Sequence, residues 1–367
     1  MRVGVLTSSR ADYSIYFPLL KEMKNDMFFD VDIIAFGTHL SEKHGKTVDQ
    51  IFADGFKVPY QIKTLIDGNS PEAVSGSMGQ TISNFATLWH NEKFDLVFCL
   101  GDRYEMFAAC ASGVPFNVKF AHIHGGEQTM GAIDEVFRHS ITHMSAIHFT
   151  STQKYAERVV ELKHDTKHIY NVGALSMDNL KAIPLLSVEA FREKFGIDLS
   201  LPSILITLHP ETVSYEKNEG YVDTLTDALK HIEGYQFIIT MPNADTMGDM
   251  IRKKLGVFIA NHPAATGVES FGTVGYLSCM KYCNFMLGNT SSGLIEASFF
   301  PKYVINLGNR QDGRLLTSNV VTVAIEKDAI LNAVAAFSSF VPSKNGAIYG
   351  NGNSARTIID ILKKVAV

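Results

Sequence analysis

Short apolar runs alternate with longer stretches of helical periodicity along nearly the whole chain. In the first half the runs at 2–7, 31–36, 95–100, 118–121, 147–150 and 168–172 are rich in β-branched and aromatic residues, which predicts strands. Between them, 14–25, 71–90, 103–113, 134–145 and 152–162 carry apolar residues every three or four positions, as helices with one buried face require. The second half repeats the scheme, with strands expected at 203–208, 235–240, 257–260, 284–287, 303–307 and 320–323. Its helices are expected at 218–232, 246–255, 273–282, 292–299 and 326–338. Strand–helix–strand alternation is the pattern of βαβ units around a parallel sheet, so the expected fold class is α/β with two Rossmann-like domains. Val172-Gly173-Ala174 closes a strand and Pro184 interrupts the next segment, which puts a boundary within 173–185. The expected division is 1–173, 174–350 and a tail 351–367, whose helix at 354–364 packs back on the N-terminal domain.

Composition narrows the function classes. A chain of 367 residues exceeds what one core usually fills, and 46% hydrophobic with 19% charged residues is ordinary for a globular protein. A net charge of −5 argues against a nucleic-acid or anionic-membrane partner, which would favour a basic face. The four cysteines, Cys99, Cys110, Cys279 and Cys283, lack paired zinc-ligand spacing and read as reduced thiols. The apolar run after Met1 is too short for a signal peptide, and no window approaches the ~20 apolar residues of a membrane span. A soluble, cytoplasmic protein is expected.

Candidate chemistry gathers where strands end. The strand Asp95 to Leu100 runs into Gly101-Asp102-Arg103, and Val118 to Ala121 runs into His122-Ile123-His124-Gly125-Gly126-Glu127. Asp134 and Glu135 then open a helix. A desolvated charge is costly unless paired, and open α/β sheets bind ligands at strand ends, so this crowd of acids suggests chemistry. The first strand ends at Ser8-Ser9-Arg10-Ala11-Asp12-Tyr13-Ser14, a polar loop suited to an anion at a helix N-terminus. Asp12 or Ser14 as a simple helix cap is the alternative, and Arg10 tilts the loop toward a ligand. The glycine fingerprint of a dinucleotide site is absent, which argues against NAD.

The second half offers Leu287-Gly288-Asn289-Thr290-Ser291-Ser292-Gly293, whose hydroxyls and backbone donors suit a pyrophosphate. Glu296, about one turn into the following helix, is placed to accept from ribose hydroxyls. A capping box from Ser292 would need an acid at 295, where the chain has Ile295. Arg310 and Arg314 follow the next strand and suit a diphosphate. His209, before Pro210-Glu211, and Asn243, after Met241-Pro242, stand at two further strand ends. The pair His122 and His124, with Glu127 nearby, lacks a third strong ligand at close spacing, so no metal or other cofactor is expected.

Together these segments resemble the hydrolysing UDP-N-acetylglucosamine 2-epimerases. The match runs through Ser9 to Ser14, Gly101-Asp102-Arg103, His122 to Glu127, Ile133-Asp134-Glu135 with Arg138-His139, Gly288 to Gly293 with Glu296, and Asn306 to Arg314. Non-hydrolysing relatives have Arg-Pro-Glu and Gly-Asp-Thr where this chain has Arg10-Ala11-Asp12 and Gly101-Asp102-Arg103, which favours the hydrolysing branch. Two departures stand out: Thr290 where serine is usual, and Gln128 to Ala132, one residue longer than the common segment before Ile133-Asp134.

The resemblance implies a glycosyltransferase-B arrangement with a UDP-sugar between the domains, a homodimer, and release of UDP and N-acetylmannosamine. It implies Asp102, Glu127 and Asp134 as catalytic carboxylates, with His209 in the active site and Arg138 and His139 orienting the acids. It implies Arg10, Ser14, Arg103, Asn243, Thr290, Ser291, Glu296 and Arg310 as UDP-sugar contacts, joined by Arg314. Three alternatives share these residues: the same reaction on UDP-2,4-diacetamido-2,4,6-trideoxy-glucose, a UDP-sugar-dependent glycosyltransferase, and a non-catalytic nucleotide-sugar binder. Against a transferase with a lipid-linked acceptor, residues 1–170 show no basic or apolar membrane-facing helix.

Overall fold

The computed structural model describes residues 1–68, 70–242, 248–341 and 346–365. The chain forms two compact units. The first comprises Met1–Glu127, Ile133–Lys181 and Tyr349–Val367, and the second Gln128–Ala132 and Ala182–Ile348. Residues 174–181 thus lie with the first unit, and the five residues 128–132 with the second.

The first unit is built on β1 (Arg2–Thr7), β2 (Asp30–Phe36), β3 (Tyr60–Ile62), β4 (Leu96–Leu100), β5 (Phe120–Ile123), β6 (Ile147–Thr150) and β7 (Ile169–Asn171). These strands pair in the order β3-β2-β1-β4-β5-β6-β7, all parallel. Its helices are α1 (Arg10–Lys24), α2 (Val48–Ala53), α3 (Pro71–Asn91), α4 (Tyr104–Gly113), α5 (Asp134–Met144), α6 (Gln153–Lys163) and α7 (Ser176–Ala182). A sheet covered on both faces needs continuous apolar strands, and every residue of β4 and β5 is buried.

The second unit carries α8 (Val188–Phe195), β8 (Ser203–Thr207), α9 (Asn218–Leu229), β9 (Gln236–Thr240), α10 (Gly248–Asn261), β10 (Ala265–Val268) and α11 (Gly272–Tyr282). It continues with β11 (Phe285–Gly288), α12 (Glu296–Phe299), β12 (Tyr303–Leu307), β13 (Val320–Val323) and α13 (Lys327–Ala336). Its parallel sheet has the order β10-β9-β8-β11-β12-β13. The last helix, α14 (Ser354–Leu362), lies with the first unit, and its Ile358, Ile359 and Leu362 join the core around Tyr16, Leu19 and Leu20. Asp178 of α7 caps it from a distance, its two oxygens accepting from the N–H groups of Ser354 (2.9 Å) and Ala355 (2.7 Å).

Three expectations need correction. The run at 257–260 is not a strand but the end of α10; Ile251, Leu255 and Phe258 are buried at helical spacing on one face, and the strand comes later at Ala265–Val268. A short apolar run does not by itself separate a strand from a buried helical turn. The helix expected at 292–299 is broken into a 3₁₀ turn at Ser291–Gly293 and the short α12, because glycine and bonded serines weaken it and Pro301 stops it. The strand expected at 118–121 lies two residues later, so His122 is inside β5. The short β3, α2, α7 and α8 had no clear periodic signal.

In each sheet the strand order reverses once, between β1 and β4 in the first unit and between β8 and β11 in the second. Ligands of open parallel sheets bind outside the carboxyl ends of strands at such switch points. No helix among the described residues is long and apolar enough to cross a membrane.

Candidate active site

At the first switch point, Ser9 caps α1: its side chain accepts from the Asp12 N–H at 3.4 Å. Asp12 reaches back to accept from the Ser8 N–H at 2.8 Å and the Ser8 hydroxyl at 2.6 Å. This resembles a capping box, with aspartate in the acid position reaching one residue further back than the cap. The cap is therefore Ser9 rather than Asp12 or Ser14, and the helix starts four residues before Ser14. Arg10 is its first residue, and the Ser14 carbonyl accepts from Asn179 Nδ2 at 2.7 Å.

β4 is followed by Gly101, whose carbonyl accepts from His122 Nε2 at 2.8 Å. That leaves His122 Nδ1 to accept from the Thr142 hydroxyl at 3.1 Å. Burial lowers the His122 pKa to about 4, so the ring is neutral. It ties β5 to the loop after β4 and has both nitrogens engaged. Among the described residues, no group of three or more His, Cys, Asp or Glu is arranged to hold a metal ion.

The carboxylates collect around Arg138, whose side chain is 1% exposed. Its Nη2 donates to Asp102 Oδ2, and its Nη1 to the Glu127 carbonyl (2.9 Å) and to Glu135 Oε2 (3.2 Å). Glu135 Oε1 in turn meets His139 Nε2 at 2.9 Å and Arg158 Nη2 at 3.7 Å. A buried guanidinium needs such partners, since an unpaired buried charge is strongly destabilising. Nearby, Arg103 forks onto Glu105 at 3.2 and 3.0 Å. Burial raises the Glu105 pKa, while the Arg103 charge opposes the rise.

Beyond β5, His124 Nδ1 lies 2.7 Å from Glu127 Oε1, and the same oxygen accepts from Ser151 Oγ at 2.7 Å. Ser151 follows β6, the neighbour of β5. Gly126 lets this loop lie against α6: at its φ of +78° a Cβ would stand 2.3 Å from the Tyr155 carbonyl oxygen.

The second switch point is organised by Asn289, which is 1% exposed. Its side chain accepts from the His209 N–H (2.7 Å) and donates to the His209 carbonyl (2.8 Å), joining the ends of β8 and β11. Its own carbonyl accepts from Gln311 Nε2 (2.8 Å) and Arg310 Nη1 (3.3 Å). Gly288 is required by the same approach, because a Cβ there would stand 1.9 Å from the Thr207 carbonyl oxygen. The Ser292 hydroxyl pairs with Tyr276 (2.7 Å) and Thr290 (3.1 Å). Glu211 Oε1 accepts from the Asn309 N–H at 2.8 Å.

The fold thus brings Asp102, Glu127 and Arg138 into one cluster in the first unit, with Asp134 beside Glu135 at the start of α5. Arg10 and Ser14 are on α1, and Arg103 caps α4. In the second unit His209, Thr290, Ser291 and Arg310 gather around Asn289, Arg314 lies in the loop after β12, and Glu296 opens α12 instead of standing a turn inside it. Asn243 lies outside the described residues. Sequence reasoning named neither Glu135 nor Ser151 as a site residue. Glu135 was signalled by its i, i+3 and i, i+4 spacing to Arg138 and His139. Ser151 and Asn289 required knowledge of which strands are neighbours.

A family model described as UDP-N-acetylglucosamine 2-epimerase matches residues 21–363. The chain is 32% identical to the polysialic acid biosynthesis protein P7 of Escherichia coli over 371 residues, covering 99% of this chain and 94% of that one. It is 33% identical over 321 residues to the GDP/UDP-N,N'-diacetylbacillosamine 2-epimerase (hydrolyzing) of Campylobacter jejuni, covering 87% of this chain and 83% of the relative. In fold it is similar to the crystal structure of UDP-GlcNAc 2-epimerase from Neisseria meningitidis bound to UDP-GlcNAc, with a TM-score of 0.83, 17% identity and 100% of both chains covered. At that identity the likeness shows the fold, two parallel α/β units of the glycosyltransferase-B type.

Proposed function

Since the chain belongs to the UDP-N-acetylglucosamine 2-epimerase family, we propose that it is the hydrolysing kind, converting UDP-N-acetylglucosamine and water to UDP and N-acetylmannosamine. The observation that carries this reading is the cluster after β4 and β5 and at the start of α5, where the carboxylates of Asp102 and Glu135 pair with the buried Arg138 and the Glu127 carbonyl accepts from it. A set of proton-handling groups held by one cation suits chemistry at a carbon that is not strongly acidic. The proton at C2 of the sugar is removed, its electron pair becomes the C1=C2 bond of a glycal, and the C1–O pair leaves with UDP. Water then adds across the double bond, hydroxyl to C1 and proton to C2 from the opposite face. Each proton transfer by a placed side chain is worth about 10²–10⁴-fold. In the second unit, Thr290, Ser291 and Arg310 supply donors for the departing diphosphate. Asp134 and His209 belong to the same proposed machinery, with Arg10, Ser14, Arg103, Glu296 and Arg314 as further substrate contacts. A homodimer and a cytoplasmic location accompany this reading.

The hydrolyzing relative from Campylobacter jejuni supports both the branch and a second reading of the sugar, UDP-2,4-diacetamido-2,4,6-trideoxy-glucose. One experiment separates the readings: the protein is incubated in D₂O with each UDP-sugar and no acceptor. Free UDP with deuterium at C2 of the released 2-epimer is the expected result, and the faster sugar names the substrate. An intact UDP-linked epimer would place the chain in the non-hydrolysing branch. Absence of turnover until an acceptor is added would make it a transferase, and binding without turnover a regulator.

A further inference from the structure

His124 has no role in the proposed reaction so far, yet its setting is unusual. It is a non-glycine residue in the left-handed region, at φ 67°, and its side chain is only 10% exposed. Its Nδ1 is 2.7 Å from Glu127 Oε1, and its Nε2 is buried without a hydrogen-bond partner. An ionised carboxylate oxygen has only lone pairs to offer, and Oε1 already accepts from Ser151. A ring hydrogen therefore sits on Nδ1, and in the neutral ring Nε2 is the acceptor. A strained backbone and an unpartnered buried acceptor on one residue are each costly and collect at functional sites. Glu127, by contrast, has a side chain 3% exposed, with Oε1 turned toward the imidazole and Ser151. A carboxylate behind an imidazole fixes its tautomer and stabilises the imidazolium that forms when the far nitrogen takes a proton.

We infer that His124 is the base that takes the C2 proton of the sugar, and that Glu127 is a positioning residue acting through it. The inference rests on the hydrolysing-epimerase reading. Nε2 accepts the proton, the C2–H pair forms the C1=C2 bond, and the C1–O pair departs with UDP. The imidazolium stays hydrogen-bonded to Glu127, where the contact becomes charge-assisted in the course of the step.

Glycine tolerates the backbone of residue 124, so His124→Gly removes the imidazole without adding strain. The expected result is a loss of about 10²–10⁴-fold in UDP release with UDP affinity unchanged, and partial recovery of the rate on adding imidazole. Glu127→Gln should also slow the reaction, and added imidazole should not restore it, because its ring is present but unoriented. A near-normal rate for His124→Gly, or no recovery with imidazole, overturns the inference. Ring-nitrogen NMR of the unliganded wild type supplies an arm that needs no variant and no turnover. A hydrogen on Nδ1 and none on Nε2 supports the inference, and the opposite tautomer overturns it. A wild type inert toward every UDP-sugar would instead strike the hydrolysing-epimerase reading itself.

Discussion

The two switch points share one topology and differ in chemistry. At the first, between β1 and β4 and on to β6, the carboxylates of Asp102 and Glu135 and the Glu127 carbonyl crowd a buried Arg138. At the second, between β8 and β11, the ends of the strands are joined by neutral groups, with Asn289 bonded to His209 and Gln311 and the hydroxyls of Thr290, Ser292 and Tyr276 linked together. Ionised groups withdrawn from water need partners, so the first site is a network that stands or falls together. Amides and hydroxyls carry a smaller desolvation cost and can exchange one acceptor for another, which suits a diphosphate that must arrive and leave. On the proposed reading, the same βαβ frame holds proton-transfer groups in one unit and anion donors in the other.

The sharpest test of this division is Asp102→Asn. It should lower turnover by about 10²–10⁴-fold while UDP affinity, measured by titration calorimetry, stays as in the wild type. Equal losses in rate and affinity would break the comparison. The next largest effect is on stability. Arg138→Met leaves Asp102 and Glu135 without the cation between them and should cost about 3–5 kcal/mol in urea unfolding. Asn289→Ala, which removes neutral hydrogen bonds, should cost about 1–3 kcal/mol. If the order were reversed, charge would not be what distinguishes the sites.

Acid should also act on the first unit. His122 and His148 pair in register on β5 and β6, and burial lowers their pKa values to about 4 and about 3 from an ordinary 6.5. The unfolded chain binds protons that these folded rings refuse, so stability is full above 6.5 and falls as pH drops toward 4. The gap at His122 corresponds to roughly 3 kcal/mol at full effect. Amide hydrogen exchange on acidification should therefore show β5 and β6 opening before β8 and β11. The smallest effects belong to Ser291→Ala and Arg310→Ala, each expected to weaken UDP binding by about tenfold, or ~1.4 kcal/mol, with kcat lowered far less than in Asp102→Asn. Steady-state kinetics and UDP titration on the same samples check both halves of that expectation.

Much of this organisation was legible in the sequence. The alternation of apolar runs and helical stretches marked most strands, and the polar segments after them contain Asp102, Glu127, Thr290 and Arg310. Where the reading failed, the deciding contact was one that local pattern does not carry. Val257 to Ala260 looks like a strand because four apolar residues look alike in either conformation; burial of Ile251, Leu255 and Phe258 on one face makes it helical. Asp12 looked like a cap, but Ser9 caps α1, and Asp12 turns back to hold Ser8, the residue before the cap. The partners of Glu127 were likewise not legible: the fold sets one of its oxygens against His124 and Ser151.

By itself the sequence determined the α/β class and the loops that bear chemistry, because side-chain period and turn chemistry are properties of residues close along the chain. Only the tertiary structure decided which loops meet. Asp102 finds Arg138 from 36 residues away, Ser151 finds Glu127 from 24, and Asn289 finds His209 from 80. Parallel strands are joined by long crossovers, and their order in the sheet follows from how whole helices and strands bury one another. That order is what turns separate polar loops into two sites of opposite character.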